Sequence, residues 1–87
     1  MLTKVLAAEL AGEGIRSNCI CPGLINTFIS QALIKNKDFY EKIMKQSPMH
    51  RMGEPDEFVG IAVFLASDAS SYLNGAVIPV DGGSNAL

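Results

Sequence analysis

Few side chains in this sequence of 87 residues could take part in chemistry, and most of them lie far apart. Cys19 and Cys21 are one residue apart, so on a strand they would share one face and could form half of a metal site. Such a site needs two further ligands, and His50 is the only histidine. We therefore interpret the two cysteines as buried packing thiols and His50 as a surface or lid residue, with no metal expected.

Hydrolytic chemistry by a serine nucleophile is poorly supported as well. Ser70, His50 and Asp81 supply the three residue types of a catalytic triad, but no nucleophile-elbow spacing surrounds the serine. Asp81 precedes two glycines, a sequence that suits the end of a strand. These residues therefore predict no catalytic site.

Binding through the backbone is the remaining candidate chemistry, at Pro22–Gly23 and at Thr27. Proline fixes φ and removes a donor, and glycine lets the backbone approach a flat ligand without a Cβ in the way. The Thr27 hydroxyl can both donate and accept a hydrogen bond. Taken alone, the same residues suit an ordinary turn followed by a helix N-cap, and the two roles of Thr27 are compatible.

Hydrophobic spacing predicts the elements that position these residues. Residues 1–14 have leucines and a valine at helical spacing, no capping residue before them and glycines at the end, which predicts the tail of a longer helix. Ile15–Cys21 suits a short strand that is covered on both faces. Residues 28–50 are more polar and predict two short helices.

The last third of the chain predicts a helix and an edge strand. Glu54–Glu57 opens the helix, with a proline at the first helical position and acidic residues in the first turn. Phe58–Ala66 is apolar nearly all round, so this helix needs cover on more than one side. Ala76–Val80 predicts a strand, and Pro79 within it places the strand at a sheet edge. A strand, a long crossover and a second strand indicate a parallel pair, which is one βαβ unit of an α/β fold.

Composition and charge exclude several classes of function. The net charge is −2 and no run of Lys or Arg occurs, whereas a nucleic-acid-binding protein normally has a basic stripe. The longest apolar stretch, Phe58–Ala66, is far shorter than a membrane span. We therefore expect neither nucleic acid nor a membrane as a partner. Cys19 and Cys21 are too close in sequence to link distant segments by a disulfide, so a reducing, cytoplasmic compartment is the default. Because 48% of so short a chain is hydrophobic, we also expect surface that a further segment or subunit covers.

Three stretches together resemble the C-terminal part of the short-chain dehydrogenases/reductases, in particular carbonyl reductases of the tropinone-reductase type. They are Leu6–Leu10 with Gly14–Asn18, then Pro22–Thr27, then Arg51–Gly83. The resemblance implies the C-terminal βαβ part of a doubly wound parallel sheet of the Rossmann type, in which ligands bind outside the carboxyl ends of the strands. It divides the chain into a helix tail at 1–14, a strand with the nicotinamide lip at 15–27, a substrate lid at 28–50, and a buried helix with an edge strand at 54–83.

The resemblance also implies a cofactor site at the end of the first strand. Pro22 and Gly23 would lie against the nicotinamide ring, main-chain groups of Ile25 would pair with the carboxamide, and the Thr27 hydroxyl would reach the carboxamide or a phosphate. The cofactor would be NAD or NADP, with NADP favoured. The reaction would be hydride transfer between the nicotinamide and a carbonyl or alcohol substrate.

The family's catalytic residues are a tyrosine and a lysine four residues later on the same helix face. Neither Tyr40 nor Tyr72 has a lysine at that position, so the resemblance implies that this pair lies upstream of Met1. The chain is then predicted to be a fragment of such an oxidoreductase and inactive alone. The alternative is a non-catalytic interaction module derived from the same family. In both cases the resemblance implies a homo-oligomer, joined through the Phe58–Ala66 helix and the Ala76–Val80 strand.

Overall fold

Two short runs of small and β-branched residues form the sheet of the structure, a computed structural model that describes residues 1–86. The helices and strands, in chain order, are α1 (Leu2–Leu10), β1 (Cys19–Pro22), α2 (Phe28–Ile34), α3 (Lys37–Gln46), α4 (Val59–Ala66) and β2 (Val77–Val80). The two strands pair in parallel, with Cys19 opposite Val77 and Pro22 opposite Val80. The predicted βαβ unit of an α/β fold is confirmed.

Both strands are shorter than the sequence predicts, because asparagine side chains replace the backbone ladder at their start. The Asn18 side chain accepts a hydrogen bond from the backbone N–H of Ala76 at 3.0 Å, and the Asn74 side chain accepts one from Ser17 at 3.0 Å. The first ladder bond, from Cys19 N–H to the carbonyl of Ala76, follows directly at 2.8 Å. The predicted strand at Ile15–Cys21 therefore begins only at Cys19.

The segment between β1 and α4 contains the two short helices that its polar, helical spacing predicts. The Thr27 side chain accepts from the backbone N–H of Ser30 and caps α2. The Asn36 side chain accepts from the N–H of Phe39 at 3.2 Å and caps α3. The N-cap predicted at Thr27 is confirmed.

The helix predicted to begin at Pro55 starts with a turn of 3-10 helix at Pro55–Phe58, and α4 continues from it. Within the chain α4 is poorly covered: Val59 is 58% exposed and Val63 is 61% exposed. Ala7 is the single fully buried hydrophobic residue among residues 1–86. The sequence predicts that other residues cover this apolar helix on more than one side, and residues 1–86 do not provide that cover.

Within the part of the chain that the structure describes, no helix has the length and apolar character to cross a bilayer.

An exposed ion pair stabilises the start of this helical segment. The Arg51 guanidinium donates to both carboxylate oxygens of Glu57, at 2.6 and 2.9 Å, and the same carboxylate accepts from the N–H of Glu54 at 3.2 Å. Hydrogen bonds from Arg51, and then from Glu54, lower the pKa of Glu57 from 4.5 to about 2. The stabilisation is therefore fully present above pH 4.5 and is lost as the pH falls through about 2.

We expect Glu57→Gln to flatten this acid dependence of stability. The free energy of unfolding should fall less steeply between pH 4.5 and 2 than in the unmodified chain, because the titrating carboxylate is gone. Urea unfolding at several pH values measures it. Asp56→Asn is the control, since none of residues 1–86 hydrogen-bonds to its carboxylate, and an equal flattening in that variant would contradict the assignment.

Arg16 lies just before β1 and forms hydrogen bonds with the end of α4 and the connection that follows it. Its guanidinium donates to the carbonyl oxygens of Leu65 and Ser67 at 3.1 and 3.3 Å, and so satisfies acceptors that the end of the helix leaves free. It also donates to the Ser70 hydroxyl at 3.0 Å and to the carbonyl of Leu73 at 3.3 Å. One half-buried side chain therefore holds the α4–β2 connection against the strand.

Arg16→Ala is expected to lower the free energy of unfolding by about 2 kcal/mol, because it removes four hydrogen bonds of one half-buried side chain and leaves the carbonyl groups with only their bonds to Ser70 and Asn18. The shift of the urea midpoint measures this effect. Lys42→Ala is the control: this side chain is exposed and hydrogen-bonds to none of residues 1–86, so its removal should change the midpoint little. Equal effects of the two substitutions would refute the role of Arg16.

Candidate functional site

The carboxyl ends of β1 and β2 meet at one edge of the sheet, and the chain leaves both strands there. Gly23 N–H donates to the carbonyl of Val80 at 3.2 Å, which extends the pairing by one residue beyond Pro22. A Cβ built on Gly23 would lie 3.0 Å from both Cα and Cβ of Asp81. The absent side chain of Gly23 therefore leaves room for this chain's own backbone at Asp81.

Ile25 lies on a short bridge that leaves its own backbone groups free. Gly53 N–H donates to the carbonyl of Leu24 at 2.9 Å, and Asn26 N–H donates to the carbonyl of Gly53 at 2.8 Å. Because the neighbours of Ile25 face Gly53, the N–H and C=O of Ile25 point to the opposite side. No hydrogen bond joins either group to any of residues 1–86. The structure thus presents an adjacent donor and acceptor at the end of the sheet.

The Thr27 hydroxyl is only weakly engaged. It accepts from Ser30 N–H at 3.3 Å and lies 3.4 Å from the Ser30 hydroxyl, both longer than typical hydrogen bonds. The stronger bond of the cap runs the other way, from Thr27 N–H to the Ser30 hydroxyl at 2.8 Å. Thr27 can therefore keep its capping role and still donate its hydroxyl proton to a ligand.

Asp81 has a larger structural role than its sequence position predicts. One carboxylate oxygen accepts from Gly83 N–H and the other from Asn85 N–H, each at 3.0 Å. Gly82 and Gly83 have φ values of 66° and 95°, a region that favours glycine. Asp81 therefore holds the turn after β2, and the signal for this was the aspartate before two glycines, which is typical of a side-chain-stabilised turn.

A cavity of about 530 Å³ opens between this edge of the sheet and the segment that contains α3. Gly23 and Ile25 line it, whereas Pro22 and Thr27 do not. The end of α3 and the loop after it contribute mainly apolar groups, namely Ile43, Met44, Ser47 and Met49. The wall on the sheet side is the turn at Val80–Gly83. The structure thus brings two of the four predicted cofactor-binding residues to the cavity.

The other candidate side chains do not assemble into a site. The His50 ring lies 3.2 Å from the carbonyl oxygen of Met44, and the Ser70 hydroxyl is engaged with Arg16 and with the carbonyl of Leu65. No hydrogen bond links His50 to Ser70 or to Asp81. Among residues 1–86 no three His, Cys, Asp or Glu side chains lie close enough to hold a metal ion.

Known proteins are similar to this chain in sequence and in structure. A family model described as enoyl-(acyl carrier protein) reductase matches residues 1–85. 2-Dehydro-3-deoxy-D-gluconate 5-dehydrogenase from Pseudoalteromonas atlantica is 49% identical over 82 residues, which cover 94% of this chain and 32% of that protein. Dehydrogenase/reductase SDR family member 4 from Rattus norvegicus is 47% identical over 83 residues, which cover 95% of this chain and 30% of that protein.

The structural similarity is equally extensive. The crystal structure of a gluconate 5-dehydrogenase from Burkholderia cenocepacia, in complex with NADP and tartrate, matches with a TM-score of 0.94 at 40% identity. That match covers 100% of this chain and 34% of the other. The chain thus spans about a third of the length of the relatives it matches.

Proposed function

Because the chain belongs to the short-chain dehydrogenase/reductase family, we propose that it supplies the nicotinamide lip and the substrate lid of an NAD(P)-dependent oxidoreductase. The parent reaction is hydride transfer between a nicotinamide and a carbonyl or alcohol substrate. The observation that carries the proposal is the free backbone N–H and C=O of Ile25 at the edge of the cavity. A carboxamide offers a carbonyl acceptor and an NH₂ group that donates, which together complement that pair.

The residues of the lip fit a nicotinamide. Pro22 ends β1, and Gly23 follows it at the cavity wall, where its missing side chain lets Asp81 pack closely against the end of the strand. Ile25 would hold the carboxamide through its backbone, and the Thr27 hydroxyl would donate to the carboxamide or a phosphate. When bound, the nicotinamide supplies or accepts the hydride. The residues of this chain bind and orient it, and they position no proton in the reaction.

The lid supports a substrate without a formal charge. Ile43, Met44 and Met49 present apolar groups to the cavity, and apolar walls with a few polar groups suit a carbonyl or alcohol. Arg51 and Glu57 also line the cavity, but they neutralise each other as an ion pair. NADP is the favoured cofactor of this proposal, since the Burkholderia relative contains it. The chain carries no tyrosine with a lysine four residues later, so we expect no turnover from the chain alone.

A chimera tests the proposal. In the Pseudoalteromonas atlantica dehydrogenase, the segment that matches this chain would be replaced by residues 1–87, and NAD(P)-dependent oxidation of the relative's own substrate and of simple alcohols would be followed by absorbance. We expect cofactor-dependent turnover from the chimera and none from the 87-residue chain. A folded chimera that does not bind NAD or NADP would refute the proposed lip, whereas binding without turnover would refute only the substrate assignment.

A second candidate function, a non-catalytic interaction module, rests on the poorly covered face of α4. Val59 and Val63 are more than half exposed, Phe64 is 40% exposed, and β2 pairs with β1 alone among the described strands. We propose that α4 and β2 join copies of the parent protein into a homo-oligomer. Val63→Glu in the chimera should shift light-scattering mass towards the monomer. If the native chain binds intact relatives yet the chimera binds no cofactor, the module is the better account.

A further inference from the structure

The two cysteines of the chain form a close pair on one face of β1. Cys19 and Cys21 are both half-buried and free, and their sulfur atoms lie 3.9 Å apart. The side chain of Ile20 between them lies on the opposite face of the strand, where it lines a separate cleft against α4. The strand therefore holds the two sulfur atoms close together, directly before Pro22, and neither cysteine lines the cavity beside the nicotinamide lip.

The separation of the sulfur atoms suits chelation better than a disulfide. Two bonds of about 2.3 Å from one centre, at ordinary bond angles, place two sulfurs roughly 3.3–3.8 Å apart. A disulfide needs the Cα atoms within about 6.8 Å, and residues two apart on an extended strand are already about 6.7 Å apart. A bridging centre therefore fits with small side-chain rotations, whereas a disulfide bond would need a Cα separation at the upper end of its usual range.

The number of available sulfur ligands indicates which kind of atom Cys19 and Cys21 can chelate. No third His, Cys, Asp or Glu side chain lies close enough, within residues 1–86, to complete a metal site around the two sulfurs. A zinc ion normally needs four ligands, but arsenic(III) with one organic substituent needs only two sulfurs. We propose that Cys19 and Cys21 form a two-thiol chelating site on β1 for a soft, thiophilic centre of this class.

Binding of an arsenic(III) compound to the two sulfur atoms removes one proton from each thiol. The hydrogen bond with Cys19 raises the pKa of Cys21 above its ordinary value, and desolvation and the nearby Asp81 act in the same direction. With phenylarsine oxide, two As–S bonds form and the As=O bond breaks. The oxygen leaves as water with the two thiol protons, arsenic stays trivalent, and no oxidant or reductant is needed.

The test uses the full chain and phenylarsine oxide. Mass spectrometry should find one phenylarsenic group per chain with loss of one water, and the adduct should withstand excess 2-mercaptoethanol but dissociate with 2,3-dimercaptopropanol. In Cys19→Ser or Cys21→Ser, a single thiol remains, so the monothiol should remove the adduct about a hundredfold faster. If it does so equally fast in the unmodified chain, the two thiols act independently and the site does not exist.

A variant with its two cysteines on opposite faces of β1 distinguishes chelation by the folded strand from chelation by a flexible chain. Ile20→Cys combined with Cys21→Ser places the two sulfurs on opposite faces of β1, where one centre cannot bridge them, although an unfolded chain could still wrap round it. With circular dichroism confirming an unchanged fold, this variant should behave like the single-thiol variants. Retention as strong as in the unmodified chain would overturn the proposal, because chelation would then not depend on the strand. This site is independent of the proposed cofactor role.

Discussion

Gly23→Ala is expected to destabilise the chain by about 3 kcal/mol, measured as the shift in the urea unfolding free energy. The new methyl group would lie 3.0 Å from Cα and Cβ of Asp81 and 3.2 Å from its carbonyl oxygen. The neighbour is mainly backbone, so it cannot rotate away. The ends of β1 and β2 would have to separate, and the hydrogen bond from Gly23 to Val80 would be lost with them.

The matched control is Gly60→Ala in α4, where an added methyl group has open space within 4 Å. That substitution should be neutral or should stabilise the chain by up to about 1 kcal/mol, because alanine favours the helix. A mild effect at Gly23, comparable with that at Gly60, would show that the ends of the two strands are not packed as closely as the structure describes.

Ile25→Pro is expected to weaken nicotinamide binding in the chimera about a hundredfold, because it removes the free N–H and leaves the carboxamide oxygen without its donor. Ile25→Val keeps the backbone and should leave the affinity unchanged. Fluorescence titration with NADPH measures both. The affinity for ADP-ribose, which lacks the nicotinamide, should hardly change in Ile25→Pro, and an equal loss for that ligand would indicate a folding defect instead of a lost contact.

Substitutions of Thr27 are expected to have a smaller effect on the NADPH affinity than Ile25→Pro. Thr27→Val removes the hydroxyl at nearly constant shape and should lower the NADPH affinity about tenfold, in addition to a loss of about 1 kcal/mol in stability from the helix cap. Thr27→Ser retains the hydroxyl and should keep most of both. Retained affinity in Thr27→Val would restrict this residue to its role as the cap of α2.

The parts of the fold that depend on local sequence could be predicted. Helical spacing predicted α2 and α3, and Thr27 was a candidate N-cap. The structure forms that cap and a second one at Asn36, each with a residue three positions along the chain. The parallel pairing of the strands followed from the long crossover between them, and Pro79 was compatible with an edge. The resemblance to short-chain dehydrogenases/reductases is confirmed by the family match over residues 1–85.

The parts that depend on residues distant in sequence could not be predicted. The contact that excludes a side chain at Gly23 comes from Asp81, and the donors that satisfy the end of α4 come from Arg16. The side chains of Asn18 and Asn74 shorten the strands by taking ladder positions, and propensity carries no sign of this. At the candidate site, the cofactor-binding roles that the resemblance implies stay predictions. Only the bridge to Gly53 reveals that the backbone of Ile25 faces away from its partner.

The most direct measurement of the central claim is the amide resonance of Ile25 in the chimera, prepared with ¹⁵N-labelled isoleucine. On saturation with NADP we expect this resonance to move more than that of any other isoleucine of the chain, because its N–H changes from an unpaired group to a donor. ADP-ribose should leave it nearly in place. An Ile25 resonance that does not move when NADP is bound would contradict the account, since the nicotinamide would then lie elsewhere.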